Sequence, residues 1–224
     1  MCTIKELEAA LDDLTGRGEE PRGVLRLTAP DAYGRSKVLP VLTRFLTAWP
    51  KLEADVIFND RVVGVVAEGF DLALQVGAPD IGQDLISRVI SRHRVSYCAS
   101  PEYLARHGEP AKLEELRRHT CLQLVQRGQR QPWWGRMDNG DIAAFETEAR
   151  VRFDSCLAIQ DAAVDGLGIL QMPDYLVEKE VSEGRLQRVL ETKEPEPVPI
   201  IALYPSKRYL APKVRLFIDC LVCA

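Results

Sequence analysis

From Val24 onward, strand-type and helix-type runs alternate, and this order constrains the fold more than any other feature of the sequence. Val24-Leu-Arg-Leu-Thr-Ala29 reads as a strand. Val38, Val41, Leu42, Phe45, Leu46 and Trp49 then recur at i, i+3, i+4 spacing, one apolar face of a helix that Pro50 ends. Leu52 to Phe58 alternates like a strand. Val62 to Ala67 fits a short helix, with Gly69 at the position past a helix end that favours glycine, and Asp71 to Gln75 is the next strand. Strand, helix, strand, helix, strand implies parallel pairing with right-handed crossovers.

The rest of the chain keeps mixing the two kinds of element. Leu85 to Ser91 and Arg94 to Ala99 read as strands, and a helix starts after Ser100-Pro101, serine as N-cap and proline at the first helical position. A short helix near Leu113 to His119 is followed by strands at Cys121 to Val125 and Ala149 to Asp154. The polar stretch from Gln126 to Asp141, which carries Trp133 and Trp134, reads as a loop or irregular hairpin. Ser155 to Asp165 is helical, Gly166-Leu-Gly168 turns into a strand at Ile169 to Met172, and Tyr175 to Val181 is helical again. Arg185 to Leu190 is extended, Glu191 to Pro199 is a polar connector, and Ile200 to Tyr204 is a last buried strand. Val214, Phe217, Ile218 and Leu221 mark a C-terminal helix. Residues 1–22 differ: Ile4, Leu7, Leu11 and Leu14 form an orphan apolar stripe, and Gly16, Gly18 and Pro21 make a loose linker.

Charge and motif content exclude several functions. The 224 residues hold 29 Lys and Arg against 33 Asp and Glu, a formal charge of −4. A nucleic-acid-binding module shows a basic face, so these residues are not expected to grip DNA by themselves. No apolar run is long enough to span a membrane, and Met1-Cys-Thr-Ile-Lys-Glu lacks a signal region, which points to the cytoplasm. The six cysteines are scattered, as small apolar fillers are. Neither a G-x-S-x-G elbow nor a phosphate-binding glycine loop is present. His93, His107 and His119 lack metal-ligand spacing, and Cys220-Leu-Val-Cys223 lies at a helix C-terminus, where the dipole disfavours a thiolate. No catalytic residue, metal or cofactor is expected.

What does recur is a strand that ends in small or capping residues and leads into a helix. It occurs at Leu27 to Gly34, Tyr97 to Pro101 and Phe153 to Ser155. In open α/β sheets, ligands bind outside the carboxyl ends of strands, and helix N-termini there offer unpaired N–H groups to polar or anionic ligands. Ser100 and Ser155 would cap helices in any fold, and capping is compatible with ligand contact.

In combination these segments resemble the effector-binding domain of LysR-type transcriptional regulators. The resemblance starts with Gly23-Val-Leu-Arg-Leu-Thr-Ala-Pro30, Leu39-Pro-Val-Leu-Thr-Arg-Phe-Leu46 and Trp49-Pro50. It continues through Glu68-Gly-Phe-Asp-Leu-Ala-Leu74, Ala99-Ser-Pro-Glu-Tyr-Leu104, Asp165-Gly-Leu-Gly-Ile169 and Met172-Pro-Asp-Tyr-Leu176. The final run, Leu203-Tyr-Pro-Ser-Lys-Arg-Tyr-Leu-Ala-Pro-Lys-Val-Arg-Leu-Phe-Ile-Asp219, resembles the CrgA-like branch. Each motif is weak alone; their shared order from Gly23 to the C-terminus is specific.

The resemblance implies an α/β type 2 periplasmic-binding-protein fold of two Rossmann-like lobes. Residues 23–99 with 204–224 would form one lobe and 100–203 the other, with hinge crossings near Ala99 and Tyr204 and the effector between the lobes. Family contacts carried across fall on Pro30, Asp31, Tyr33, Asn59, Ser100, Asp154, Ser155 and Gly168. The implied partners are a small effector, for which the helix N-termini suggest a polar or carboxylate group, and further copies of the chain in a dimer or tetramer. DNA would be contacted only by the family's N-terminal winged helix-turn-helix, which has no counterpart in these residues; residues 4–15 resemble the end of the linker helix. Two rival readings use the same fold: a solute-binding protein serving a transporter, and an enzyme.

Overall fold

The computed structural model describes residues 21–61, 64–77, 84–126, 128–206 and 210–223. The stripe from Ile4 to Leu14 lies outside the described residues. The described residues begin with β1 (Gly23–Ala29), a single helical turn (Asp31–Tyr33), a π-helical segment (Gly34–Val38) and α1 (Leu39–Ala48). Next come β2 (Leu52–Phe58), β3 (Leu72–Val76), β4 (Leu85–His93), β5 (Val95–Ala99), α2 (Pro101–His107) and a 3-10 helix (Leu113–Arg118). They are followed by β6 (Leu122–Gln126), β7 (Gln129–Arg130), β8 (Trp133–Arg136), β9 (Ile142–Phe145), β10 (Val151–Phe153) and α3 (Cys156–Val164). The last elements are β11 (Leu170–Pro173), α4 (Asp174–Ser182), β12 (Gln187–Val189), a 3-10 turn (Glu191–Lys193), β13 (Val198–Pro205) and α5 (Pro212–Val222).

The chain divides into two compact units, one ending at Arg92 and resuming at Pro199, the other running from His93 to Val198. Both crossings come earlier in the chain than Ala99 and Tyr204, the residues expected at the hinge. Ala99 ends β5 inside the second unit, and Tyr204 lies in β13 inside the first. The first crossing is poorly marked because only Arg94 separates β4 from β5, whereas the Ser100-Pro101 helix start is a strong signal.

The first unit is built on a five-stranded sheet of order β2-β1-β3-β13-β4. β1 pairs in parallel with β2 and β3, as the alternation of elements implied, and β13 is antiparallel to β3. Leu25, Leu27 and Leu72 are fully buried in this sheet. α1 buries Val41, Leu42 and Phe45, and α5 buries Val214, Phe217, Ile218 and Leu221. The rings of Phe45 and Phe217 meet at 5.2 Å between centroids, which ties the two helices together. In place of the helix expected at Val62 to Ala67, the described residues show a single turn. Phe70 N–H donates to the Val65 carbonyl at 2.9 Å and Gly69 N–H to that of Val66 at 3.2 Å. With φ of +71° at Gly69, this is the glycine-terminated helix end that closes the turn at once. Val62 and Val63 lie outside the described residues.

The second unit repeats this plan. β10 and β6 are parallel, and β5 is antiparallel to both β11 and β12. A parallel bridge between Cys121 and Ile169 joins the two halves, giving the order β10-β6-β11-β5-β12. Its first four strands match β2-β1-β3-β13 in order and in sense. Between β6 and β10 the stretch read as a loop or irregular hairpin, Gln126 to Asp141, holds β8, which forms a regular hairpin with β9 just beyond it. The hairpin is fastened by its backbone: Gln171 accepts from Trp134 N–H at 3.0 Å and donates to the Trp134 carbonyl at 2.5 Å. The Tyr97 hydroxyl donates to the same carbonyl, and Trp133 is buried against Tyr97. Burial raises the Tyr97 hydroxyl's pKa, so it stays a proton donor.

Burial also settles the role of the sheet cysteines. Desolvation pushes the Cys98 and Cys121 thiols up to about 12. Raised pKa means that the reactive thiolate is scarce at neutral pH. In native protein at pH 8, iodoacetamide is expected to label neither of them within the time that labels the exposed Cys223. Peptide mass spectrometry reads the result; equal labelling would contradict the packing.

Candidate functional site

In the first unit the carboxyl ends of β1 and β2 lie side by side, with Ala29 opposite Phe58. Asn59 N–H donates to the Ala29 carbonyl at 3.0 Å, and Gly34 N–H to that of Pro30 at 2.7 Å. These bonds place Pro30, Asp31 and Asn59 close to one another. Gly34 permits the close approach: a Cβ there would stand 2.4 Å from the Phe58 ring. The π-helical segment that follows is a geometry found disproportionately at functional sites.

The electrostatics of this edge differ from expectation. The Asp31 amide, the first of the helical turn, already donates to the Asp60 carboxylate at 3.2 Å. It is therefore not waiting for an anionic ligand. The Asp31 carboxylate accepts from Arg35 Nε at 2.9 Å, and the Asn59 side-chain oxygen accepts from Arg61 N–H at 3.1 Å. The edge is rich in acceptors. Asp60 and Arg35 were missed in the sequence; the Asn59-Asp60 pair, a common turn signal, was the available hint. Tyr33 does not join them. It is 3% exposed, its hydroxyl meets the Ser91 hydroxyl at 3.3 Å, and burial raises its pKa, so it belongs to the core.

In the second unit the eight-residue expectation splits again. Ser155 follows β10 and caps α3, accepting from Ala158 N–H at 3.3 Å, with Asp154 exposed beside it. These two residues lie at the carboxyl end of β10 and, through the pairing of Phe153 with Leu124, at the carboxyl end of β6. They correspond in topology to Asn59 of the first unit.

Ser100 and Gly168 lie at the opposite edge of the same sheet. Ser100 caps α2, accepting from Tyr103 N–H at 3.2 Å, and is 3% exposed. Because β5 runs antiparallel to β11, with Cys98 opposite Leu170, Ser100 stands beside Gly168. That is where β6 and β11 begin: Ile169 N–H donates to the Thr120 carbonyl at 2.8 Å and Leu122 N–H to that of Ile169 at 2.8 Å. The length of β6 separates this edge from Ser155, roughly 3.3 Å per residue. Gly168 is a packing residue, since a Cβ would lie 2.2 Å from the Thr120 carbonyl oxygen. Gly166, at φ +77°, ends α3. Ser100 and Gly168 are thus not brought together with Asp154 and Ser155.

Comparison with known proteins identifies this architecture. The model of the LysR substrate binding domain matches residues 18–224. PtxR, an HTH-type transcriptional regulator of Pseudomonas aeruginosa, is 31% identical over 219 residues, covering 97% of this chain and 69% of PtxR. The regulatory domain of CrgA, a LysR-type transcriptional regulator from Neisseria meningitidis, superposes with a TM-score of 0.81 at 27% identity, over 90% of this chain and 98% of that one. The longer CrgA structure gives a TM-score of 0.83 at 25% identity, over 98% of this chain and 74% of CrgA. Two α/β units of like strand order, with capping residues at the carboxyl ends of their parallel strands, accord with the type 2 periplasmic-binding-protein fold of these domains. The chain belongs to the LysR-type transcriptional regulators, as their effector-sensing substrate-binding domain.

Proposed function

We propose that this domain senses its effector through the carboxyl-end edges of its parallel strands. Pro30, Asp31 and Asn59 would make the contacts in the first unit, and Asp154 and Ser155 those in the second. The observation that carries the reading is the repeated topology: Asn59 and Asp154-Ser155 occupy the same place in two sheets of the same strand order. Open α/β sheets bind ligands at this end. The acceptor-rich edge around Asp31 and Asp60 favours a small polar effector that presents hydrogen-bond donors there. An effector with different affinity for two conformations shifts their populations, and that shift would reach DNA through the family's N-terminal domain in a cytoplasmic homo-oligomer.

A thermal-shift screen of the chain against small metabolites tests this reading. A hit is expected to bind about tenfold more weakly to Ser155→Ala, the size of one lost hydrogen bond. Ser100→Ala is expected to lower stability by about 1 kcal/mol, the cost of a helix cap, and to leave affinity for the hit unchanged. Equal affinity of parent and Ser155→Ala, with a loss in Ser100→Ala, would reverse the assignment. Chemical consumption of the hit would point to an enzyme instead.

A further inference from the structure

A polar cavity opens at the other end of the second unit, away from Ser155. It has a volume of about 340 Å³ and is lined by Arg117, Arg118, His119, Thr120, Glu148, Ala149 and Arg150. Arg117 and Arg118 end the 3-10 helix, and Arg150 directly precedes β10. Among the described residues none of these three guanidiniums makes an ion pair, although Glu148 lines the same cavity. Elsewhere in the second unit Arg94 pairs with Glu194, Arg136 with Glu196 and Arg185 with Glu180. Three guanidiniums against the single carboxylate of Glu148 give the lining of this cavity a local excess of positive charge.

The neighbouring groups leave one neutral donor, on the His119 ring. Thr120 N–H donates to the Tyr103 hydroxyl at 2.9 Å, and that hydroxyl lies 3.2 Å from His119 Nδ1. With the Tyr103 proton donated to Nδ1, the neutral ring carries its own proton on Nε2. Burial holds the imidazole toward this neutral form.

We propose that this cavity is an anion site for a phosphoryl group, either inorganic phosphate or a small phosphate monoester. Three planar guanidiniums supply more donors than the two oxygens of one carboxylate accept, whereas a phosphate dianion offers three or more acceptor oxygens. The remaining volume leaves room for a short organic portion. The site would be an input separate from the effector edge, bearing on Thr120, the residue whose carbonyl holds Ile169 at the start of β11.

The 224-residue chain is titrated calorimetrically with inorganic phosphate and with glycerol 3-phosphate at constant ionic strength, beside Arg118→Ala, Arg150→Ala and Arg152→Ala. Arg152 is exposed on β10 and does not line the cavity, so its variant removes the same charge two residues away. Saturable binding is expected, weakened about tenfold or more in Arg118→Ala and Arg150→Ala and unchanged in Arg152→Ala, with the Thr120 amide resonance shifting on titration. Tighter binding of the ester assigns the site to monoesters, and equal binding assigns it to the free ion. The proposal is overturned if chloride matches phosphate, if Arg152→Ala weakens binding as much as the others, or if Arg118→Ala and Arg150→Ala bind like the parent.

Discussion

Replacing Gly168 with alanine is expected to lower the stability of the domain by about 3 kcal/mol, the upper part of the range for overpacking. The new Cβ would lie 2.2 Å from the Thr120 carbonyl oxygen and 3.1 Å from its carbonyl carbon. That carbonyl is not free to retreat, because it accepts the Ile169 amide at 2.8 Å and so holds the bridge between β6 and β11. Relief therefore means opening the join between the two halves of the second unit's sheet. Gly166→Ala makes an instructive contrast. Its Cβ would meet side-chain ends and no backbone, that of Arg106 at 2.9 Å and the Ser100 Oγ at 3.3 Å, so the cost is chiefly the left-handed backbone, about 1–2 kcal/mol. Urea denaturation reads both, as a lower midpoint at unchanged slope. A Gly168→Ala midpoint equal to that of the parent would mean that the strands do not meet as described.

The second large effect is expected at Phe217, where substitution by alanine should cost about 4 kcal/mol. The ring is fully buried on α5 and packs against Phe45 of α1 at 5.2 Å. Its removal both loses the transfer of an aromatic ring from water and leaves a cavity between two helices whose backbones are already fixed by the sheet. Leu39, on the same α1 helix but 46% exposed, is the control: its alanine variant should change stability by less than about 0.5 kcal/mol. A Phe217→Ala loss as small as that of Leu39→Ala would show that α5 is not docked on α1.

The elements of this fold were legible because their signals are local. The β1 strand, the α1 stripe, the proline stop and both serine caps depend on residues within a turn or two of one another, and each appears where expected. The placement of the candidate residues was only half legible, for a reason that Ser100 and Ser155 show directly. In sequence they are equivalent: each is a serine after a strand and before a helix. In the sheet they sit at opposite edges, because β5 runs antiparallel to β11 whereas β10 runs parallel to β6. The sense of strand pairing is decided by contacts far apart in the chain, and no cap residue records it. Gly168 is ambiguous in the same way. A glycine in a turn before a strand fits a ligand loop as well as a tight packing contact, and only the position of Thr120 distinguishes the two. Tyr33 parts from its neighbours because Pro30 and Asp31 lie on the edge, while one further turn carries its ring into the core beside Ser91.

Amide hydrogen exchange of the chain, with and without a saturating effector from the metabolite screen, tests the central claim most directly. Slowed exchange is predicted at residues 31–34 and 59–61 in the first unit and at 154–158 in the second, where the carboxyl ends of the parallel strands lie. Protection confined to residues 100–103 and 166–168, with the other segments unchanged, would contradict the account and return the effector to the opposite edge.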